Sequence, residues 1–113
     1  MTHTVTGFVS LPPDAPAGRA ATVLVEVRDV SRADAPSTVI GSQVQTGVEL
    51  TPGGRIPFGV ELPDLGPGGA YQIRAHVDVS GTGTVEHGDL MSTQATPVPA
   101  DFARPVIAPV AVV

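Results

Sequence analysis

A strictly alternating stretch constrains the fold of this chain more than any other feature of its sequence. In residues 22–30, Val23, Val25 and Val27 alternate with mostly polar residues. Successive side chains of a strand point to opposite faces, so a period of two predicts a strand with one apolar face. A polar loop at 29–37 then separates this segment from another β-branched run. A polar turn between two such runs is typical of an antiparallel meander.

Similar alternation recurs along the chain and predicts about seven short strands. We expect them at residues 3–11, 22–30, 37–45, 55–62, 71–79, 84–95 and 104–113, with a short strand or edge piece within 46–54. The 13 glycines and 12 prolines are scattered evenly along the chain, a distribution that suits many short strands and turns. No window is free enough of β-branched residues, glycine and proline to favour a helix. We therefore predict one all-β domain, residues 1–113, folded as a β-sandwich.

Composition and charge exclude several classes of function. The chain has no cysteine, which excludes disulfides, thiolate zinc sites and cysteine nucleophiles. Its net charge is −5 and it has no basic run, so no nucleic-acid partner is predicted. No apolar run approaches the roughly 20 residues of a transmembrane segment. The first residues do not resemble a signal peptide, so we expect a cytoplasmic protein as the sequence stands, or an envelope or periplasmic one if a leader was removed.

A distinctive block at residues 29–36, DVSRADAP, lies between segments that are less specific alone, namely 5–9 (VTGFV), 56–63 (IPFGVELP) and 71–77 (YQIRAHV). In this order the segments resemble the YbaY/YscW-type family of bacterial lipoproteins, which includes the type III secretion lipoprotein chaperone, or pilotin. The resemblance implies an immunoglobulin-like antiparallel β-sandwich without catalysis and a protein-binding or accessory role at the cell envelope. Typical members carry a lipoprotein signal and a lipidated cysteine; the printed sequence contains no cysteine, and we do not expect its first residues to act as such a signal.

We therefore expect a non-enzymatic module that binds another protein at or near the bacterial envelope, as a monomer or weak homodimer. The alternative is a purely structural domain of a larger envelope or secretion assembly. No cofactor is predicted, because the glycine-rich segments at 52–54 and 66–69 lack the Lys-Ser/Thr of a phosphate-binding loop. Carboxylates and serines show no spacing typical of acid–base or nucleophilic catalysis.

The loop at residues 29–36 has two interpretations. As a structural element, its aspartates and serine can accept hydrogen bonds from nearby amides, and its arginine can pair with either aspartate. As a functional element, an ordered, charged loop is a plausible contact for a partner. The candidate binding residues are Asp29, Ser31, Arg32 and Asp34.

The hairpin between the fifth and sixth predicted strands contains a candidate metal site. If residues 81–82 form a two-residue turn, His76 faces His87 on the polar side. Two imidazoles and a carboxylate about 5 Å apart could bind zinc or copper weakly. The alternative is a solvated polar face, and a shift of the turn by one residue would break the pairing. The candidate ligands are His76, His87, Asp78 and Asp89.

Overall fold

Eight strands and no helix occur in the part of the chain that the computed structural model describes, residues 3–31, 34, 36–63, 69–94, 96–98 and 104–113. The strands are β1 (His3–Ser10), β2 (Gly18–Asp29), β3 (Thr38–Leu50), β4 (Arg55–Leu62), β5 (Tyr71–Asp78), β6 (Leu90–Ser92), β7 (Thr96–Pro97) and β8 (Val106–Val112). The all-β prediction is confirmed. Within the described ranges, no helix has the length and hydropathy needed to cross a membrane.

The strands form one continuous sheet in the order β3-β2-β5-β6-β8-β1-β4, with β7 paired to β5. At the open side, the Gln45 side-chain amide donates to the Pro57 carbonyl at 2.8 Å, and the Gly59 amide donates to Gln43 Oε1 at 3.0 Å. These bonds link β3 to β4, the two ends of the strand order. The sheet is therefore nearly closed and barrel-like.

The all-β sheet does not separate clearly into the two sheets of the predicted immunoglobulin-like antiparallel sandwich. A sandwich has two separate sheets. Here β8 pairs on one side with β1, the neighbour of β4, and on the other side with β6, the neighbour of β5. Its first part pairs in parallel with β1, starting at Gly7 and Val106, and its last part pairs antiparallel with β6. The alternation of a strand specifies which face is buried, but it does not specify the neighbour or its direction. The parallel pairing joins β1, near the start of the sequence, to β8, near its end. These strands are far apart in the sequence, so no turn between them indicates the pairing.

Small aliphatic side chains fill the interior, as the alternation predicted. Val23, Val25 and Val27 of β2 are each 0% exposed. The other buried core side chains include Ile73, Ala75 and Val77 of β5, Val5 and Val9 of β1, Ile56, Phe58, Val60 and Leu62 of β4, and Ala108 and Val110 of β8. Burying each valine or isoleucine contributes about 1.5–3 kcal/mol before the entropy of ordering is counted.

Pairing between strands changes several predicted boundaries. β2 and β3 are longer than expected, because they pair from Gly18 and Leu50 to Asp29 and Thr38. β6 is only three residues long, and most of its predicted range belongs to an irregular loop after β5. His76 pairs with Met91. The predicted pairing of His76 with His87 is therefore wrong, because the connection is longer than a two-residue turn.

Candidate functional site

The β2–β3 loop starts with a fixed local shape. The Ser31 amide donates to Asp29 Oδ1 at 2.9 Å, which makes an Asx turn. The Ser31 hydroxyl accepts the Ala70 amide at 2.9 Å, and the Val30 amide donates to the Ala70 carbonyl at 2.9 Å. These bonds fasten the loop to the chain just before β5.

The structure brings together part of the predicted binding set. Asp29 and Ser31 meet in the Asx turn, as the structural interpretation of the loop expected. Asp34 is exposed to solvent. Arg32 lies outside the described residues, so its pairing with Asp29 or Asp34 stays a prediction.

A groove of about 300 Å³ lies beside the start of this loop. Apart from Val30 and Ile73, the described residues that line it are all polar, and among them are two arginines and no carboxylate. The groove therefore presents hydrogen-bond donors and positive charge in a chain whose net charge is −5. Its lining residues are Arg28, Val30, Ser37, Gln72, Ile73, Arg74, Ser92, Thr93 and Gln94.

The two arginines of the groove differ in their partners. Arg28 Nη2 donates to Glu26 Oε1 at 3.1 Å, and its Nη1 donates to Ser37 Oγ at 3.0 Å. Arg74 is exposed, and its guanidinium has no hydrogen bond or ion pair among the described residues. Since an exposed guanidinium can form a bidentate pair with a carboxylate, Arg74 is available to an acidic group of a partner.

At the other end of β5, two buried aspartates organise the loop that leads to β6. Asp78 is 3% exposed, and its carboxylate accepts the Gly81 amide at 2.9 Å and the Gly83 amide at 2.8 Å. Asp89 is 1% exposed and accepts the Val79 amide at 2.9 Å. Both side chains therefore act as caps for loop amides, whereas the sequence placed them on the polar face.

His76 completes this second cluster. Its Nε2 lies 3.1 Å from Asp89 Oδ2, which also accepts the Glu86 amide at 3.1 Å. His76, Asp78 and Asp89 offer metal-ligating atoms within 4.8 Å of one another. His87 is exposed and is not part of that group. Three of the four predicted metal ligands are thus brought together, without the second imidazole that the zinc or copper hypothesis required.

Hydrogen bonds lower the pKa of both aspartates. At Asp78 the amide of Gly83 has the largest effect; it lowers the pKa, helped by the Gly81 amide and opposed by burial. At Asp89 burial has the largest single effect and raises the pKa, but the hydrogen bonds from His76, Glu86 and Val79 together outweigh it. Each carboxylate is therefore stabilised in its ionised form by the folded loop.

These shifts predict that the protein loses stability in acid. A folded-state pKa below the ordinary value of 3.8 means that the folded chain binds fewer protons than the unfolded chain. The contribution is therefore complete above about pH 5 and is lost as pH falls toward the lowered pKa values. We expect the melting temperature, measured in chelator-containing buffer from pH 7 to pH 3, to fall through this window. Asp78→Asn should lower it at pH 7 and flatten its pH dependence; an equally steep fall in wild type and variant would contradict the prediction.

The chain is similar to a known protein family in sequence and to a solved structure in fold. Residues 1–102 match the model of a family described as type III secretion system lipoprotein chaperone (YscW). A solved structure of an alternative pilotin from the type II secretion system of Vibrio cholerae superposes with a TM-score of 0.63, at 22% identity, over 98% of each chain. At that identity the likeness establishes the fold alone. No curated protein matches the chain.

Proposed function

Because the chain belongs to the type III secretion system lipoprotein chaperone (YscW) family, we propose that it is a non-enzymatic, chaperone-like accessory protein of the bacterial envelope. The family resemblance seen in the sequence is confirmed by this match. In this proposal the protein binds an acidic segment of another protein in the groove beside the β2–β3 loop. The expected monomeric or weakly dimeric state remains a prediction.

The groove is the observation that carries the proposal. Its described lining includes the guanidinium groups of Arg28 and Arg74 and contains no carboxylate. Glu26 is bonded to Arg28 and stands opposite Arg74 in the β2–β5 register, so it offsets part of this charge. The side-chain amides of Gln72 and Gln94 supply further donors. A partner with carboxylates satisfies these donors better than a neutral or basic partner does.

The adjoining loop supplies the second part of the proposed contact surface. Asp29 and Ser31 hold its start against Ala70, and Asp34 is exposed. A loop fixed at its base has less conformational freedom to lose when a partner binds. We include Arg32 and Asp34 as contact residues of this surface.

Arg74→Gln should abolish or strongly weaken capture of the partner while the melting temperature stays within about 2 °C of wild type. The change removes an exposed charge that has no partner among the described residues, so the fold loses little. The test compares proteins captured from the solubilised envelope of the source bacterium by immobilised wild type and variant, identified by mass spectrometry.

Arg19→Gln is the matched control, because Arg19 is also an exposed arginine of a strand but does not line the groove. The proposal is supported by a protein that wild type and Arg19→Gln retain and Arg74→Gln does not. Equal retention by all three contradicts the groove assignment. Retention of no protein by wild type favours the alternative, a purely structural domain of a larger assembly.

A further inference from the structure

A nearly apolar row of side chains crosses five neighbouring strands of the sheet. The pairing register places Leu24 of β2 between Val44 of β3 and His76 of β5. It continues from His76 to Met91 of β6, and from Met91 to Ala111 of β8. Neighbouring strands lie about 4.8 Å apart, so this row, which we call the outer row, spans roughly 19 Å. Apart from His76, its members are apolar.

The outer row lies on the face of the sheet that is turned away from the core. Leu24 stands between Val23 and Val25, whose side chains are fully buried, so alternation turns Leu24 outward. Val44 is 60% exposed, and the other members of the row are partly exposed. The row is therefore apolar surface that solvent reaches, and covering it from water is favourable.

Positive charge borders the outer row on one side. Arg74 precedes His76 by two residues on β5 and stands opposite Glu26 of β2. Glu26 is already paired with Arg28 at 3.1 Å, so these three side chains leave one net positive charge. Arg74 is exposed and has no hydrogen bond or ion pair among the described residues, which makes it the free cation of this side.

Negative charge borders the outer row on the opposite side. The loop that follows β5, residues 78–89, contains three carboxylates and no lysine or arginine. It lies directly beside the row, because Asp89 Oδ2 is 3.1 Å from His76 Nε2 and also accepts the Glu86 amide. Asp78 and Asp89 are buried, whereas Glu86 is exposed. The face therefore has a positive half and a negative half, with the outer row between them.

This distribution of charge is complementary to itself. A two-fold axis through the middle of the outer row, perpendicular to the face, brings the positive half of one copy against the negative half of another. The two apolar rows then cover each other, and Arg74 of each copy meets Glu86 of the other, because every contact of an isologous interface occurs twice. An occupant with charge of a single sign would match only one half of the face and be repelled by the other.

We propose that this face binds a second copy of the chain, in a weak two-fold symmetric homodimer with two Arg74–Glu86 ion pairs. The outer row and its two flanks cover roughly 500 Å² per copy, below the 800 Å² or so that each partner contributes to a stable interface. The dissociation constant therefore belongs in the range of about 0.1–1 mM. Arg74 also lines the groove, so the second copy and an acidic partner in the groove compete for its guanidinium.

Static light scattering of the full chain tests the dimer directly. Between about 0.02 and 1 mM protein, the weight-average mass should rise about 1.5-fold or more from the monomer mass of 11.4 kDa. Amide NMR shifts in the same dilution series should change at Leu24, Val44, His76 and Met91. A constant mass, or shift changes confined to β1 and β4, overturns the proposal. No other protein takes part, so the outcome is independent of the function proposed for the groove.

Charge reversal identifies the pairs across the two-fold axis. Arg74→Glu and Glu86→Arg should each weaken self-association about tenfold or more, because each turns two attractive pairs into two repulsive ones. The double variant restores both pairs with the charges exchanged and should associate within about threefold of wild type. Arg55→Glu and Glu61→Arg are the matched controls, since they reverse charges at exposed positions of β4, outside this face, and should have little effect. Circular dichroism checks that each variant is folded. A folded double variant that associates no better than the single variants, or equal losses in the controls, overturns the proposal.

Discussion

Gly7→Ala is expected to lower the free energy of unfolding by about 3 kcal/mol and the melting temperature by about 10 °C. Gly7 pairs with Val106 where β1 and β8 run in parallel. A Cβ at residue 7 would contact the Val106 carbonyl oxygen and would lie only 2.7 Å from its nitrogen and 2.8 Å from its carbonyl carbon. Main-chain atoms cannot rotate away as the end of a side chain can, so the two strands must separate. Urea or thermal unfolding followed by circular dichroism measures the effect.

Gly59→Ala is the matched control for this prediction. Gly59 lies on β4 opposite Thr6, the neighbour of Gly7 on β1. A Cβ there would be 3.9 Å from Thr4 Cγ2, an ordinary contact distance. We expect its stability to stay within about 1 kcal/mol of wild type, because a strand tolerates alanine at least as well as glycine. Equal losses in the two variants would show that the close approach of β1 and β8 does not limit the side chain at residue 7.

Asp89→Ala is expected to destabilise the protein by about 3 kcal/mol at pH 7. Asp89 is 1% exposed, and its carboxylate accepts the amides of Val79 and Glu86 and faces His76 Nε2. Alanine leaves both amides without an acceptor in a place where water has little access, and each unsatisfied donor costs about 1–3 kcal/mol. The measurement is the free energy of unfolding in urea, with amide exchange of residues 79–86 as a local readout.

Two further aspartate variants distinguish the loss of an acceptor for the loop amides from the loss of a negative charge. Asp89→Asn keeps one acceptor oxygen, so we expect a smaller loss than for alanine. Asp14→Ala removes the same charge from an exposed loop residue and should change stability by no more than about 0.5 kcal/mol. If Asp89→Ala were as stable as Asp14→Ala, the Asp89 carboxylate would not be what holds the β5–β6 loop.

Strand positions followed from sequence wherever the alternation was clear. β4 occupies the predicted range 55–62, and β1 and β5 each end one residue before the prediction. The alternation is a local property, because it depends only on which face of each strand is buried. β6 was predicted far too long, since the residues before Leu90 are held in a loop by Asp78 and Asp89. Side-chain caps of this kind depend on contacts that strand propensity does not describe.

In the candidate sites as well, features formed by neighbouring residues were predictable from the sequence, and features formed by distant residues were not. The Asx turn of Asp29 and Ser31 was predictable, because its donor and acceptor are two residues apart. The groove was not, because residues from β2, β5 and the segment 92–94 form it together. The pairing of His76 with His87 was predicted from an assumed two-residue turn, whereas the observed connection is longer and His76 pairs with Met91.

By itself, the sequence determined that the chain is all-β, which faces of its strands are buried and to which family it belongs. These properties are carried by residues near one another or by the order of short segments along the chain. Only the tertiary structure decided that β8 pairs with both β6 and β1 and so completes one nearly closed sheet. It also decided that Arg74 lines a groove and that Asp89 lies beneath a loop. Strand neighbours and register are chosen by the packing of the whole core, because many pairings bury the same alternating faces almost equally well.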